Sequence, residues 1–173
     1  MITIVRVLAL STMLACTGLS TVGCTPTPKG PASELAHPLS SKPLPDFDKR
    51  TLGGARVDTK SLRGRVVVVK FFAKYCEPCK RTLPALQKLH EDDPEVAVVG
   101  VAEDESQADT AEVVATYGLS FPVVHDAGNV LAGRYRVSEM PITFVADGEG
   151  RIRWIGGPAQ SEDDLPAAIA MAK

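Results

Sequence analysis

The sequence predicts an α/β domain with a mixed central β-sheet flanked by helices and a short β extension at its N-terminus. Three observations carry this. Val66–Phe72 reads VVVVKFF, a near-continuous apolar run of the kind that marks a strand buried on both faces. Val96–Val101 is a second such run, one helix-length further on. The segments between and after these runs carry helix-boundary and hairpin signals in alternation, as α/β domains do.

Two short β segments are expected first, around Phe47 and at Arg56–Asp58, set apart by Gly53-Gly54. The strand Val66–Phe72 follows. A helix then runs from Glu77 to Glu91, with Leu83, Leu86 and Leu89 at three-residue spacing. After the strand Val96–Val101, Ser106 serves as N-cap of a helix to Tyr117 that Gly118 stops. A short helix spans Asn129–Tyr135. Ile142–Ala146 and Arg151–Ile155 flank the turn Asp147-Gly148-Glu149-Gly150 as a hairpin, and Ser161–Ala172 closes the chain as a helix.

The 173 residues are 45% hydrophobic and 23% charged, enough for one well-packed domain and too few for two. With 19 Lys and Arg against 21 Asp and Glu, the formal charge of −2 leaves no electrostatic footprint for nucleic acid. The long apolar stretch lies at the N-terminus alone, which excludes a multi-span membrane protein.

That N-terminal stretch reads as an address. Residues 1–23 hold one charge, Arg6, then a weakly apolar run and small residues, the pattern of an export signal. Gly23-Cys24 and Ala15-Cys16 each resemble the bacterial lipobox, in which the Cys becomes the lipidated first residue; Cys24 is preferred over Cys16, and plain cleavage or an uncleaved anchor are the rivals. Residues 24–45 read as a Pro-rich tether, with Pro26, Pro28, Pro31, Pro38, Pro43 and Pro45 and a solvated His37. The domain proper is expected over 46–173, outside the cytoplasm and held to the membrane by a lipid on Cys24.

The chemistry gathers in Cys76-Glu77-Pro78-Cys79, directly after the buried strand and at the start of a helix. Free N–H groups and the helix dipole stabilise an anion there, so Cys76 is expected to have a lowered pKa. Pro78 suits the first turn, where its missing N–H is no loss. Two residues between cysteines on a helical turn bring the sulfurs within bonding range, so Cys76 can attack and Cys79 can resolve. Structural zinc would need further ligands, and the domain offers only the isolated His90 and His125, so no metal is assigned. A purely structural disulfide is the other alternative.

Phe71-Phe72-Ala73-Lys74-Tyr75-Cys76-Glu77-Pro78-Cys79-Lys80-Arg81-Thr82-Leu83-Pro84 resembles the active-site segment of thioredoxin-fold proteins, and in particular the exported TlpA/ResA family of thiol-disulfide oxidoreductases. Pro45-Asp46-Phe47, Leu62-Arg63-Gly64-Arg65 and Met140-Pro141-Ile142-Thr143-Phe144-Val145 extend the resemblance over nearly all of Pro45–Lys173. It implies a thioredoxin-like fold, with Pro141 as a cis-proline beside Cys76 and Cys79. Met140 would offer its backbone to an extended substrate segment, and Tyr75 and Pro78 would border the same surface.

Three departures stand out. Tyr75 replaces the family's usual Trp and is expected to shield the site in its place. Thr82 stands where many relatives carry a proton-handling Glu, and Lys70 where thioredoxins carry a buried Asp. Glu103 could substitute as proton handler, or could be a solvated member of the run Glu103-Asp104-Glu105. Lys70 either snorkels its amine to water or places a cation near the dithiol, and Glu77 opposes the latter effect.

The resemblance implies an extracytoplasmic, monomeric oxidoreductase that exchanges dithiol and disulfide with protein substrates. It would need no cofactor beyond the redox-active Cys76–Cys79 pair. Reduction is the expected direction, with cytochrome c maturation as one family role and a membrane thiol-electron transporter as reductant. The alternatives are a thiol peroxidase, which needs Thr or Ser where Ala73 stands, and a copper-binding chaperone using the two cysteines as soft ligands.

Overall fold

The computed structural model describes residues 37–159, 161 and 164–173. The export signal, Cys16, Cys24 and the first part of the tether lie outside the described residues. Strands β1 (Asp48–Arg50) and β2 (Arg56–Asp58) form an antiparallel hairpin. The main body follows as β3 (Val66–Phe72), α1 (Glu77–Asp92), β4 (Val96–Ala102), α2 (Gln107–Thr116), β5 (Val123–His125), α3 (Val130–Arg134), β6 (Ile142–Ala146), β7 (Ile152–Gly156) and α4 (Asp164–Ala172). The main sheet runs β5-β4-β3-β6-β7, with β3, β4 and β5 parallel and β6 and β7 antiparallel to their neighbours.

The apolar runs become strands because both faces of the sheet are covered. All seven residues of β3 and all seven of β4 are buried. Alternation sends Val66, Val68 and Phe72 to one face, against Cys79, Leu83 and Leu86 of α1 and Leu165, Ala168 and Ile169 of α4. Val67, Val69 and Phe71 take the other face, against Phe47, Leu131 and Tyr135. Gly100 on β4 is a fit requirement. A Cβ there would lie 2.9 Å from Phe72 and 3.0 Å from Phe121, so the rings occupy the space a larger residue would need.

Helix boundaries follow local chemistry. The Ser106 hydroxyl accepts the Asp109 N–H at 3.1 Å, and Gly118 leaves α2 with φ of 58°. Helix α4 begins at Asp164, later than the expected Ser161. Strand β5 has no counterpart in the sequence reading. Its three residues are too short to show a period, and it exists by pairing Val123–His125 with Gly100–Ala102 of β4.

The domain also begins earlier than expected. Residues 37–45 have the composition of a tether, yet they pack on the sheet. Leu44 is buried, its N–H donates to Gly150 O at 2.8 Å, and the Ile152 N–H donates to Lys42 O at 2.9 Å. His37 is not simply solvated, since its ring stands edge-on to Phe144 at 5.4 Å. Prolines favour an extended backbone, and an extended backbone suits a sheet margin as well as a linker.

Candidate active site

Cys76 is the N-cap of α1 and Cys79 sits in its first turn, the one 6% exposed and the other fully buried. Their sulfurs are joined in a disulfide. The Cys79 N–H, which donates to the Cys76 carbonyl at 3.0 Å, also points at the Cys76 Sγ at 3.2 Å, so the position that a Cys76 thiolate would occupy faces a donor of the first helical turn. Glu77, between the cysteines, is exposed and forms an ion pair with Lys80. Pro78 is half-buried, and the Thr82 hydroxyl donates to the Cys79 carbonyl at 3.0 Å. In this structure Thr82 therefore braces the helix turn.

The Met140–Pro141 peptide bond is cis. Ile142 pairs with Phe71 and Thr143 with Lys70, so the register brings Pro141 to the end of β3 from which the Cys76 loop departs. Met140 is half-buried against the apolar cluster that contains both cysteines. Tyr75 is 69% exposed. It borders a cleft lined by Lys74, Lys80, Asp104, Glu105 and Asp109. Burial is the main cause raising its pKa, and Glu103, Asp104 and Glu105 add to it.

Lys70 does not snorkel. It is 1% exposed in the central strand, where both faces are covered and no route to water remains. Its Nζ donates to Thr143 Oγ1 at 3.0 Å, and burial lowers its pKa to about 7. By alternation its side chain shares the α1 face with Val68 and Phe72, the face on which the cysteines lie.

The run Glu103-Asp104-Glu105 is not a solvated face either, because Glu103 and Asp104 are buried. Asp104 holds the active-site loop. Its carboxylate accepts the Lys74 N–H at 2.7 Å and the Thr110 hydroxyl at 3.0 Å. Lys74 in turn bridges to Asp109 at 2.9 Å and Glu112 at 2.7 Å on α2. Glu103 meets Asp126, whose other oxygen caps α3 by accepting from Leu131 N at 2.6 Å and Ala132 N at 3.0 Å. Burial, then the Asp126 charge, pushes the Glu103 carboxyl up to about 8. Sequence reasoning missed Asp104, Asp126 and Thr143. Thr143 alone left a signal, a polar residue at an inward position of the buried run ITFVA.

A five-stranded mixed sheet, a Cys-x-x-C disulfide at the mouth of its first long helix and a cis-proline heading the adjacent strand define a thioredoxin-like domain. The chain belongs to the AhpC/TSA family, which it matches over residues 41–155. It is 33% identical over 113 residues to the thiol-disulfide oxidoreductase ResA of Bacillus anthracis, covering 64% of this chain and 65% of that one. To ResA of Bacillus subtilis it is 34% identical over 110 residues, 62% of each. The match thus spans a little under two-thirds of these curated relatives. Among solved structures, a secreted Mycobacterium tuberculosis disulfide oxidoreductase homologous to E. coli DsbE superposes with a TM-score of 0.67 at 29% identity, covering 72% of this chain and 95% of that one. A thiol:disulfide interchange protein DsbE from Chlorobium tepidum gives 0.71 at 25% identity, covering 77% and 96%.

Proposed function

We propose that this protein is an extracytoplasmic thiol-disulfide oxidoreductase that reduces protein disulfides. The disulfide at the start of α1, with Cys76 at the N-cap and Cys79 buried behind it, carries the reading. After reduction, the Cys76 thiolate gains from the free helix N–H groups and attacks a substrate disulfide. Cys79 then attacks Cys76, releases the reduced substrate and restores the bond. The substrate segment lies extended along Met140 and Pro141, bordered by Tyr75 and Pro78.

Two similar solved proteins, from Mycobacterium tuberculosis and Corynebacterium glutamicum, are described as secreted, which supports an extracytoplasmic site of action. Lipidation of Cys24 would hold the domain at the membrane, near a membrane thiol-electron transporter able to re-reduce it. The likeness to ResA supports a reductase, and cytochrome c maturation is the role we assign by that likeness. The peroxidase alternative is disfavoured by Ala73 three residues before Cys76. Copper binding is disfavoured because His90 lies edge-on to Phe121 and His125 bonds the Asp104 carbonyl, so among the described histidines these two are engaged elsewhere.

The test has two parts. The equilibrium potential of the Cys76/Cys79 couple should fall near thioredoxin's, about −270 mV; a value near −120 mV would mean an oxidase. Cys79→Ser should trap a mixed disulfide through Cys76 on a non-reducing gel, whereas Cys76→Ser should trap little. Trapping by the second variant would reverse the assigned roles.

A further inference from the structure

Lys70 is a buried amine for which the described residues supply no ion pair. Its hydrogen-bond partner among them is the neutral Thr143 hydroxyl. Among the described residues, desolvation alone lowers its pKa, with no charged neighbour contributing. β4 offers Gly100 opposite it, β6 offers Thr143, β7 brings Trp154, and α4 brings Leu165, Ala168 and Ile169. Within the apolar cluster on that face the titratable groups are Cys76 and Cys79, with Tyr117 packed at its margin. Burying a lysine without a partner is costly, and a methionine of similar length would avoid the cost. The position is therefore better explained by what a neutral amine can do there than by packing.

We infer that Lys70, held by Thr143, is the group that receives the proton of Cys79 when Cys79 resolves the mixed disulfide. This rests on the oxidoreductase reading above. In that step the Cys79 Sγ bonds to the Cys76 Sγ, and the bond between Cys76 and the substrate sulfur breaks. The electron pair of the broken bond leaves with the substrate as a thiolate. The Cys79 proton passes to the Lys70 nitrogen, giving an ammonium that returns the proton to the departing thiolate or to solvent. Cys79 needs such a partner because it is fully buried, so water cannot readily take its proton. An amine with a pKa of about 7 is neutral often enough near neutral pH to accept, and basic enough to hold what it accepts.

Stopped-flow reaction of the reduced protein with 5,5′-dithiobis(2-nitrobenzoate) separates the two steps. The first thionitrobenzoate released reports attack by Cys76, and the second reports resolution by Cys79. In Lys70→Met the second release should slow on the order of ten- to a hundredfold near pH 7.5, with the first release little changed. Its pH profile should lose the inflection near 7 and follow the thiol's own ionisation at higher pH. Thr143→Val, which keeps the amine but removes its anchor, should slow the same step less. Equal second-step rates in wild type and Lys70→Met would overturn the proposal. So would parallel slowing of both steps with loss of stability, which a purely structural lysine predicts. If the wild type shows no rapid first release, the oxidoreductase reading itself fails, independently of Lys70.

Discussion

Lys70 and Glu103 are both buried, and burial moves them in opposite directions. Lys70 is lowered from 10.5 to about 7, so between those values the unfolded chain binds the extra proton and stability rises with pH. Below pH 7 the folded state carries a buried ammonium and the whole cost applies. Lys70→Met should therefore be more stable than wild type at pH 7, on the order of 2–4 kcal/mol, with the gain shrinking towards pH 10. Glu103 is raised from 4.5 to about 8, so the folded state holds the proton longer and stability falls as pH climbs through that window. Glu103→Gln should flatten the fall. Urea unfolding of the oxidised proteins at a series of pH values checks both, and a Lys70→Met variant less stable than wild type at pH 7 would contradict the first. The Cys76-Cys79 pair stands out in sequence because its motif is local, whereas Pro141 is expected beside it only from the family resemblance. The environment of Lys70 is not legible there, because its partner Thr143 is 73 residues away and is assigned only by the register of β6 on β3.

At the scale of elements, the helices and the buried strands announce themselves through composition and caps, α3 within the expected Asn129–Tyr135 included, while β5 depends on its neighbour. Helix α3 has five residues, and its N-cap Asn129 makes no side-chain cap bond. Asp126, three residues earlier, does that work with one oxygen while its other oxygen has no hydrogen-bond partner. The same carboxylate also faces Glu103, and its two effects have distinct readouts. Asp126→Ala should cost about 1–2 kcal/mol through lost capping, measured by thermal or urea unfolding. It should also let the Glu103 pKa fall, because a like charge beside it has gone. A carboxyl titration followed by NMR should show that fall. A Glu103 value unmoved by the substitution would mean that burial alone sets it.

For the whole molecule, the N-terminal margin decides where the domain begins. Strand β7 is an edge of the main sheet, and edges with free N–H and C=O groups invite wrong pairing. The chain covers the start of this edge with its own residues. Pro43 bridges Arg151, and the Lys42 carbonyl and Leu44 N–H engage Ile152 and Gly150. From there the segment crosses the face opposite α1. The Tyr135 hydroxyl donates to the Pro45 carbonyl at 2.7 Å, Arg134 donates to Asp46 O at 2.6 Å, and Phe47 packs edge-on to Tyr135 at 6.2 Å. Proline content suggested a free linker up to residue 45, because composition reports what a segment cannot form alone and not what a neighbouring edge offers it. A chain starting at His37 should thus be more stable than one starting at Asp46. Loss of the buried Leu44 side chain alone accounts for about 1.5–3 kcal/mol, with the edge hydrogen bonds in addition. The shorter chain should also show a concentration-dependent rise in association by light scattering, since β7 is then uncovered. Equal unfolding midpoints for the two chains would show that residues 37–45 only rest on the sheet, and the boundary would move back to Asp46.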